Sequence, residues 1–129
     1  MIFVILGTQD KDFSRLLKEI DRLIKEKKIT EKVIVQAGTT KYQSKNMKIF
    51  DLLPMTEFNR FIGKADLIIT HGGVGSIVGS LKKGKKVIAV PRLKKYGEHT
   101  NDHQLQIVKE FSRQGCVIPC LKMSQLGDC

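Results

Sequence analysis

The sequence is organised around one glycine-rich stretch, Thr70-His71-Gly72-Gly73-Val74-Gly75-Ser76. The apolar run before it, 65–69, predicts a buried parallel strand, and residues 77–83 after it predict a short helix. Such a turn aims free backbone N–H groups and the positive end of a helix dipole at an anion, and glycines let the main chain approach closely. The stretch therefore predicts a phosphate or diphosphate cradle; the alternative is a tight turn that merely joins a strand to a helix.

The chain is strongly basic. Its 129 residues, enough for one domain, include 23 Lys and Arg against 13 Asp and Glu, a net charge of +10. That surplus favours anionic partners, namely nucleic acid, acidic lipid headgroups or phosphorylated small molecules. Aromatic residues are only 6% and do not alternate with the basic groups, so stacking platforms for single strands are missing and we expect no nucleic-acid partner. For most individual lysines, a solvated helix face is the simpler interpretation.

Neither the apolar runs nor the cysteines predict an extracellular or membrane-spanning chain. The longest apolar run, Met1 to Leu6, is too short to cross a membrane, and no basic segment precedes it as in a signal peptide. The three cysteines, Cys116, Cys120 and Cys129, are odd in number and are typical of reduced thiols. No histidine or second cysteine pair completes a metal site around them. We expect a cytoplasmic protein without a bound metal.

Strands and helices alternate along the whole chain. Runs of β-branched residues predict strands at 2–6, 32–36, 47–50, 66–70, 87–91 and 116–119. Helices are expected between most of them, with N-caps at Asp10 or Asp12, at Thr56 and at Asn101, the first one ending near Lys28. Ser124 is a candidate cap for a final helix that is cut short. The pattern predicts an α/β domain over 1–129 with a mostly parallel sheet and helices on both faces.

The second unusual stretch is 97–104, which holds two histidines, two carboxylates, an Asn and a Gln just before a helix. In parallel sheets ligands bind at the carboxyl ends of the strands, where this loop and the glycine turn meet. A helix start capped by Asn101 or Thr100 explains part of the stretch, but not so many hydrogen-bonding groups. A metal site at His99 and His103 lacks an evident third ligand.

These motifs in this order resemble the C-terminal, donor-binding domain of family 28 glycosyltransferases. The resemblance covers nearly the whole chain and is carried by Gly7-Thr8, 70–76, Pro91-Arg92 and 98–104. The chain is similar to the small split subunits of the family. These include bacterial capsule and exopolysaccharide subunits of the PssE type, among them capsular β-1,4-galactosyltransferases, and the cytosolic catalytic subunit that adds the second N-acetylglucosamine to dolichol-linked glycans.

The resemblance implies a Rossmann-like GT-B half-domain and a UDP-sugar as donor substrate, with no cofactor and no metal. The residues implied to bind the donor are Gly7, Thr8, Gly72, Gly73, Val74, Gly75, Ser76, Asn101, Asp102, His103 and Gln104. Of these, 72–76 would hold the diphosphate, 101–104 would face the sugar, and the loop 50–53 would line the uracil. His71 and Arg92 are candidates to stabilise the leaving group. The candidates for a general base are Asp10, Asp12 and His99, or a residue of a partner subunit.

The resemblance also implies a partner. A membrane-anchored, acceptor-binding subunit would bring a lipid-diphosphate-linked saccharide, and the pair would transfer a hexose or N-acetylhexosamine with inversion in capsule or exopolysaccharide synthesis. The basic chain would sit in the cytoplasm, peripheral to the anionic inner face of the cell membrane. One departure is Gly79, where several members carry a Glu that binds ribose. Gly79 and the lack of a secure general base favour an alternative, a non-catalytic subunit that stimulates a partner transferase. A third interpretation, a nucleic-acid-binding domain, is suggested by the charge alone.

Overall fold

A six-stranded sheet forms the centre of the computed structural model, which describes residues 1–7, 11–99, 101–123 and 126. The strands are β1 (Ile2–Ile5), β2 (Val33–Gln36), β3 (Lys48–Phe50), β4 (Leu67–His71), β5 (Val87–Val90) and β6 (Ile118–Pro119). They lie in the order β3-β2-β1-β4-β5-β6, and every neighbouring pair is parallel. The predicted parallel sheet is confirmed, and its strand order reverses direction between β1 and β4.

Helices cover both faces of the sheet, as predicted. They are α1 (Ser14–Lys25), α2 (Met55–Lys64), α3 (Val74–Lys82) and α4 (His103–Arg113), with a short 3₁₀ turn at Lys94–Tyr96. Alternate residues of β1 point to opposite faces, so Val4 packs with the apolar side of α1 while Phe3 packs with Ile62 of α2 and Ile77 of α3. The four residues of β1 are all buried, which explains why its sequence is continuously apolar.

Both predicted ends of α1 need correction. The N-cap residue is Phe13 and not Asp12, whose carboxylate accepts a hydrogen bond from the Ser14 N–H at 3.2 Å; the other predicted cap, Asp10, lies outside the described residues. The helix ends at Lys25 and not near Lys28, because Lys27 adopts a left-handed conformation with φ of 61°. The basic residues that follow therefore belong to a turn and not to a longer helix.

The starts of α2 and α3 also differ from the expectation. The predicted cap at Thr56 is wrong: Pro54 precedes the helix, and its carbonyl accepts from the Phe58 N–H at 2.9 Å. α3 begins at Val74, three residues before the predicted Ile77, and Gly73 is its extended N-cap residue. The whole second half of the glycine stretch is thus the first turn of a helix.

The end of the chain carries two described thiols. Cys120 is buried and Cys116 is exposed; Cys129 and Ser124 lie outside the described residues. Within the described ranges, no group of three or more His, Cys, Asp and Glu side chains is arranged to hold a metal ion. Among the same residues, no helix has the length and apolar character needed to cross a membrane.

Candidate functional site

A cleft of about 240 Å³ opens at the carboxyl ends of β1, β2 and β4. This is the point where the strand order reverses, the usual place for a ligand in an open parallel sheet. The cleft is lined by Ile5, Gly7, Gln36, Phe58, His71, Gly73, Gly75 and Ser76. Four of the residues expected to bind the donor, Gly7, Gly73, Gly75 and Ser76, therefore line one cleft; Thr8 lies outside the described residues.

A larger hollow of about 500 Å³ runs along α1 beside Arg15 and Tyr96. On its wall Arg15 donates to both oxygens of Glu98, at 2.8 and 3.0 Å, and lies 4.5 Å from the centre of the Tyr96 ring. Among the described residues that line this hollow there is no glycine. The smaller cleft is therefore the better candidate for an anionic ligand.

The first turn of α3 forms one wall of the cleft. The first N–H groups of a helix have no acceptor within the helix, and here they belong to Val74, Gly75 and Ser76. The next one, of Ile77, already donates to the Gly73 carbonyl at 3.1 Å. Val74 and Gly75 are exposed, so these amides and the helix dipole can meet an anion directly.

His71, the last residue of β4, lies between two glycines. A Cβ atom at Gly7 would lie 2.8 Å from the imidazole, and one at Gly73 would lie only 2.2 Å from its Cε1 atom. Gly7 also has a φ of +84°, a conformation that other residues rarely adopt. These two glycines are therefore required for the ring to reach the edge of the cleft.

The His71 ring is neutral. Its Nδ1 atom accepts from the Gly73 N–H at 3.2 Å, and its Nε2 atom lies 3.1 Å from the Ser76 hydroxyl. Burial, and after it the positive charge of Arg92, lowers the pKa of His71 to about 4. The expectation that His71 offers a positive charge to a leaving group is therefore corrected: at neutral pH the ring can offer only hydrogen bonds.

Arg92 lies away from the cleft surface and is fully buried. Its guanidinium donates to the carbonyls of Leu6 (2.6 Å), Lys11 (2.6 Å) and Glu98 (3.1 Å), and it lies 4.8 Å from the centre of the Phe13 ring. These partners come from the loops after β1 and β5. Arg92 therefore joins two loops, which differs from its expected contact with a leaving group.

Gln104, in the first turn of α4, is only 4% exposed. Its Oε1 atom accepts from the backbone N–H groups of Gly72 and Arg92, each at 3.0 Å, and its Nε2 atom lies 3.2 Å from Nδ1 of His71. The resemblance implied that Gln104 faces the donor sugar. In the structure its amide is instead committed to the glycine turn and to His71.

Three further polar residues of the 97–104 stretch lie at the start of α4 and do not line the cleft, whereas Thr100 lies outside the described residues. Asn101, Asp102 and His103 are exposed; the Asn101 side chain accepts from the His103 N–H at 2.8 Å, and Asp102 accepts from the Lys94 N–H at 2.9 Å. His99 is half-buried, and its Nδ1 atom accepts from the Asn101 N–H at 3.3 Å. The predicted cap at Asn101 is wrong, because the N-cap residue of α4 is Asp102, and its side chain makes no capping hydrogen bond; these side chains make contacts within the loop.

Three residues that line the cleft, Ile5, Gln36 and Phe58, are not among the predicted site residues. Gln36 ends β2, is 6% exposed, and accepts through Oε1 from the Leu53 N–H at 2.9 Å, which ties the cleft to the loop after β3. Phe58 comes from α2 and lies edge-on to Phe3, 5.5 Å between ring centres. A polar residue that closes an apolar strand was the available signal for Gln36; Phe58 had none beyond its helical spacing.

Comparison with known proteins agrees with this geometry. The glycosyltransferase family 28 C-terminal domain matches residues 1–128. The UDP-N-acetylglucosamine transferase subunit ALG13 of Debaryomyces hansenii is 32% identical over 100 residues, 74% of this chain and 44% of that protein. The ALG13 subunit of Homo sapiens is 39% identical over 59 residues, 46% of this chain and 5% of that protein. The chain thus matches less than half the length of either relative.

Solved structures show the same fold. The glycotransferase of kitacinnamycin superposes with a TM-score of 0.67 at 15% identity, covering 98% of this chain and 32% of that one. The glycosyltransferase SnogD from Streptomyces nogalater superposes with a TM-score of 0.57 at 20% identity, covering 92% and 30%. The fold is therefore the Rossmann-like α/β architecture of GT-B glycosyltransferases. Taken with the match along 1–128, this shows that the chain belongs to the C-terminal domain of glycosyltransferase family 28.

Proposed function

We propose that this chain is the donor-binding half of a two-component glycosyltransferase that uses a UDP-sugar. The observation that carries the proposal is the first turn of α3, which opens its free N–H groups into a cleft at the point where the strand order reverses. A diphosphate is the anion that suits such a turn. The ALG13 relatives are named as subunits of a UDP-N-acetylglucosamine transferase, which supports a UDP-sugar as the ligand.

The proposed reaction is an inverting transfer of a hexose or N-acetylhexosamine. The acceptor hydroxyl attacks the anomeric carbon, the bond from that carbon to the diphosphate oxygen breaks, and UDP leaves with the bonding electron pair. The charge on the departing diphosphate is stabilised by the amides of Val74, Gly75 and Ser76 and by the α3 dipole, without a metal ion. A base must take the acceptor proton, and because His99 does not line the cleft we place that base on the partner.

The proposed partner is a membrane-anchored subunit that presents a lipid-diphosphate-linked saccharide. This chain matches only about a third of each structural neighbour, so a second half is needed to close the site over the donor. Exposed lysines at the end of α3 and in the turn before β5 lie on the edge opposite the cleft and would attract an anionic membrane surface. They are Lys82, Lys83 and Lys86. Capsule or exopolysaccharide synthesis at the inner face of the cell membrane is the proposed setting.

One observation favours a second candidate, a regulatory subunit that stimulates a partner transferase without taking part in the chemistry. Among the described residues that line the cleft there is no carboxylate, and the single histidine is neutral. Gly79, on the next turn of α3, presents no side chain to a ribose, and a Cβ there would meet open space. A stimulating subunit would tolerate both features.

The first test is a titration of the chain followed by backbone amide NMR. UDP, UDP-galactose, UDP-glucose, UDP-N-acetylglucosamine and NAD are added separately. We expect shifts at Gly73, Gly75 and Ser76 with the uridine nucleotides and none with NAD. Silence with every nucleotide at millimolar concentration, both for the chain and for its complex with a partner, would overturn the proposal.

A matched pair of variants tests whether the cleft is the binding site. A Cβ added at Gly75 meets no other atom, so Gly75→Ala should fold normally while placing a methyl group at the mouth of the cleft. Gly63→Ala makes the same change in α2, again in open space but away from the cleft. We expect UDP binding to weaken about tenfold in the first variant, the size of one lost contact, and to be unchanged in the second.

A further inference from the structure

We propose that Gln104 is a positioning residue: it fixes the tautomer of His71, and through it turns the Ser76 hydroxyl into a hydrogen-bond donor toward the anion in the cleft. The inference rests on the proposed function, because the anion is taken to be the diphosphate of a nucleotide sugar. It replaces the sugar-binding role that the resemblance implied for Gln104. One series of hydrogen bonds runs from Gln104 in α4 through His71 in β4 to Ser76 in α3.

The orientation of the Gln104 amide is fixed by its two backbone partners. The N–H groups of Gly72 and Arg92 can only donate, and both lie 3.0 Å from the same atom, Oε1. That atom must be the carbonyl oxygen, so the NH₂ group is the one that lies 3.2 Å from Nδ1 of His71. The amide therefore donates to the ring.

The hydrogen-bond partners of His71 fix its tautomer in the same way. Its Nδ1 atom lies near two groups that can only donate, the Gln104 NH₂ and the Gly73 N–H, each at 3.2 Å, so Nδ1 carries no proton. The ring proton is then on Nε2, which lies 3.1 Å from Oγ of Ser76. Burial of the ring and the positive charge of Arg92 disfavour a second proton on it.

Ser76 is the last residue of this series of hydrogen bonds. Its oxygen accepts from Nε2–H of His71, which leaves its own proton free to point elsewhere. Among the described residues no acceptor takes that proton, and the side chain lines the cleft beside the first amides of α3. A hydroxyl that already accepts a hydrogen bond is a better donor, because hydrogen bonds in a chain polarise one another. The cleft therefore presents a neutral, oriented O–H donor next to a helix N-terminus.

The positioning step is tested by ¹⁵N NMR of the His71 ring in the wild-type protein and in Gln104→Glu. We expect the wild-type ring to be protonated at Nε2 alone, with no change between pH 5 and 8, since its pKa is about 4. A glutamate at 104 keeps an oxygen for Gly72 and Arg92 but turns a second, negatively charged acceptor toward Nδ1, so Nδ1 should gain a proton, either moved from Nε2 or added as a second ring proton. A wild-type ring protonated at Nδ1, or an unchanged pattern in Gln104→Glu, would overturn the proposal.

The donor step is tested by binding of a UDP-sugar to Ser76→Ala, with Ser80→Ala as the matched control. Ser80 lies one turn later in α3, is fully buried, and donates to the Ser76 carbonyl at 2.9 Å without lining the cleft. We expect Ser76→Ala to bind about tenfold more weakly, as for one lost hydrogen bond to an anion, and Ser80→Ala to bind within about twofold of wild type. Equal losses in both variants would contradict a specific role for Ser76.

The two proposals fail in different ways. If the wild-type protein and its complex with a partner bind no UDP-sugar, the proposed function fails, whatever the ring nitrogens show. If the wild-type protein binds the nucleotide and Ser76→Ala binds it equally well, only the hydrogen-bond chain is wrong. A tautomer that follows Gln104→Glu together with weaker binding in Ser76→Ala supports both.

Discussion

Two buried polar side chains, His71 and Arg92, lie near the ends of neighbouring strands and behave in opposite ways. Both were expected at the leaving group. Arg92 is fully buried and donates only to carbonyls, whereas His71 is 8% exposed and reaches the cleft with its Nε2 edge. A buried charge is costly unless every donor finds an acceptor, so a well-satisfied arginine has nothing left to offer a ligand. A neutral ring carries a smaller cost and can stand at the edge of a site.

The two side chains are nevertheless connected. Gln104 accepts from the backbone N–H of Arg92 and from that of Gly72, so one amide joins the loop after β5 to the glycine turn. Arg92 therefore holds the loops in place, whereas His71 belongs to the cleft. Loss of the first should reduce stability, and loss of the second should change the pH dependence.

The largest effect is expected from Arg92→Met. The change removes the donors for the carbonyls of Leu6, Lys11 and Glu98 while filling similar space. We expect the free energy of unfolding to fall by about 4 kcal/mol, because buried acceptors that lose a charged donor pay their full desolvation cost. Urea unfolding followed by circular dichroism measures it.

The control for that experiment is Arg113→Met. Arg113 is an arginine at the surface: it pairs with the Glu110 carboxylate at 2.7 Å, and its side chain is 77% exposed. Its removal should leave the unfolding midpoint nearly unchanged, since exposed ion pairs contribute little. If the two variants lost similar stability, the burial argument for Arg92 would be refuted.

The next effect is a pH dependence that comes from His71. Burial, reinforced by the charge of Arg92, lowers its pKa to about 4 in the folded protein, against an ordinary value of 6.5. Between those values the unfolded chain binds more protons, so stability is lost as the pH falls from about 6.5 to about 4. The loss approaches about 3 kcal/mol over that window.

This pH dependence is isolated by comparison with His71→Gln, which does not titrate. The free energy of unfolding of each protein is measured in urea at pH 6.5, 5.5 and 4.5. We expect the wild-type curve to fall more steeply than that of the variant, by the contribution of this one ring. Parallel curves would mean that the folded ring binds a proton as readily as an unfolded one.

The sequence was sufficient for the sheet and for the turn, but not for the partners of the polar residues. Continuous β-branched runs and the glycine stretch are local signals, and both were found where predicted. Arg92 and Leu6 are separated by 86 positions, and no local spacing announces that a guanidinium will meet that carbonyl. The sequence therefore predicts that Arg92 and Gln104 contact a ligand. In the structure, both side chains instead form hydrogen bonds with backbone groups.

The start of α3 shows a second limit of local reasoning. The glycine stretch predicts a turn through Ser76 and a helix from Ile77, whereas α3 begins at Val74, although glycine and valine favour helix only weakly. In the structure Ile77 is fully buried against the sheet, and the first turn forms ahead of it. Tertiary packing overrode propensity at the position where the free amides are needed.

Intermediate effects come from the glycines beside His71. A Cβ at Gly73 would lie 2.2 Å from the imidazole, whereas one at Gly75 would meet open space. Gly73→Ala should lower the free energy of unfolding by about 1–3 kcal/mol through overpacking and should shift the ¹⁵N signals of His71. Gly75→Ala should do neither. Equal stability of the two variants in urea would show that the ring can move aside without cost.

The smallest effect, and the one of opposite sign, is expected at Thr70, beside His71 in β4. Its hydroxyl is fully buried and has no hydrogen-bond partner among the described residues. Thr70→Val keeps the shape and removes the unpaired group, so stability should be unchanged or higher by about 1 kcal/mol.

Thr40 is the matched control: it is equally buried, but its hydroxyl accepts from the Phe13 N–H at 3.1 Å. Thr40→Val should therefore cost about 1–2 kcal/mol in the same urea experiment. A clear loss in Thr70→Val would show that its hydroxyl has a partner, such as a buried water molecule, and would place Thr70 with the satisfied polar groups that hold the fold.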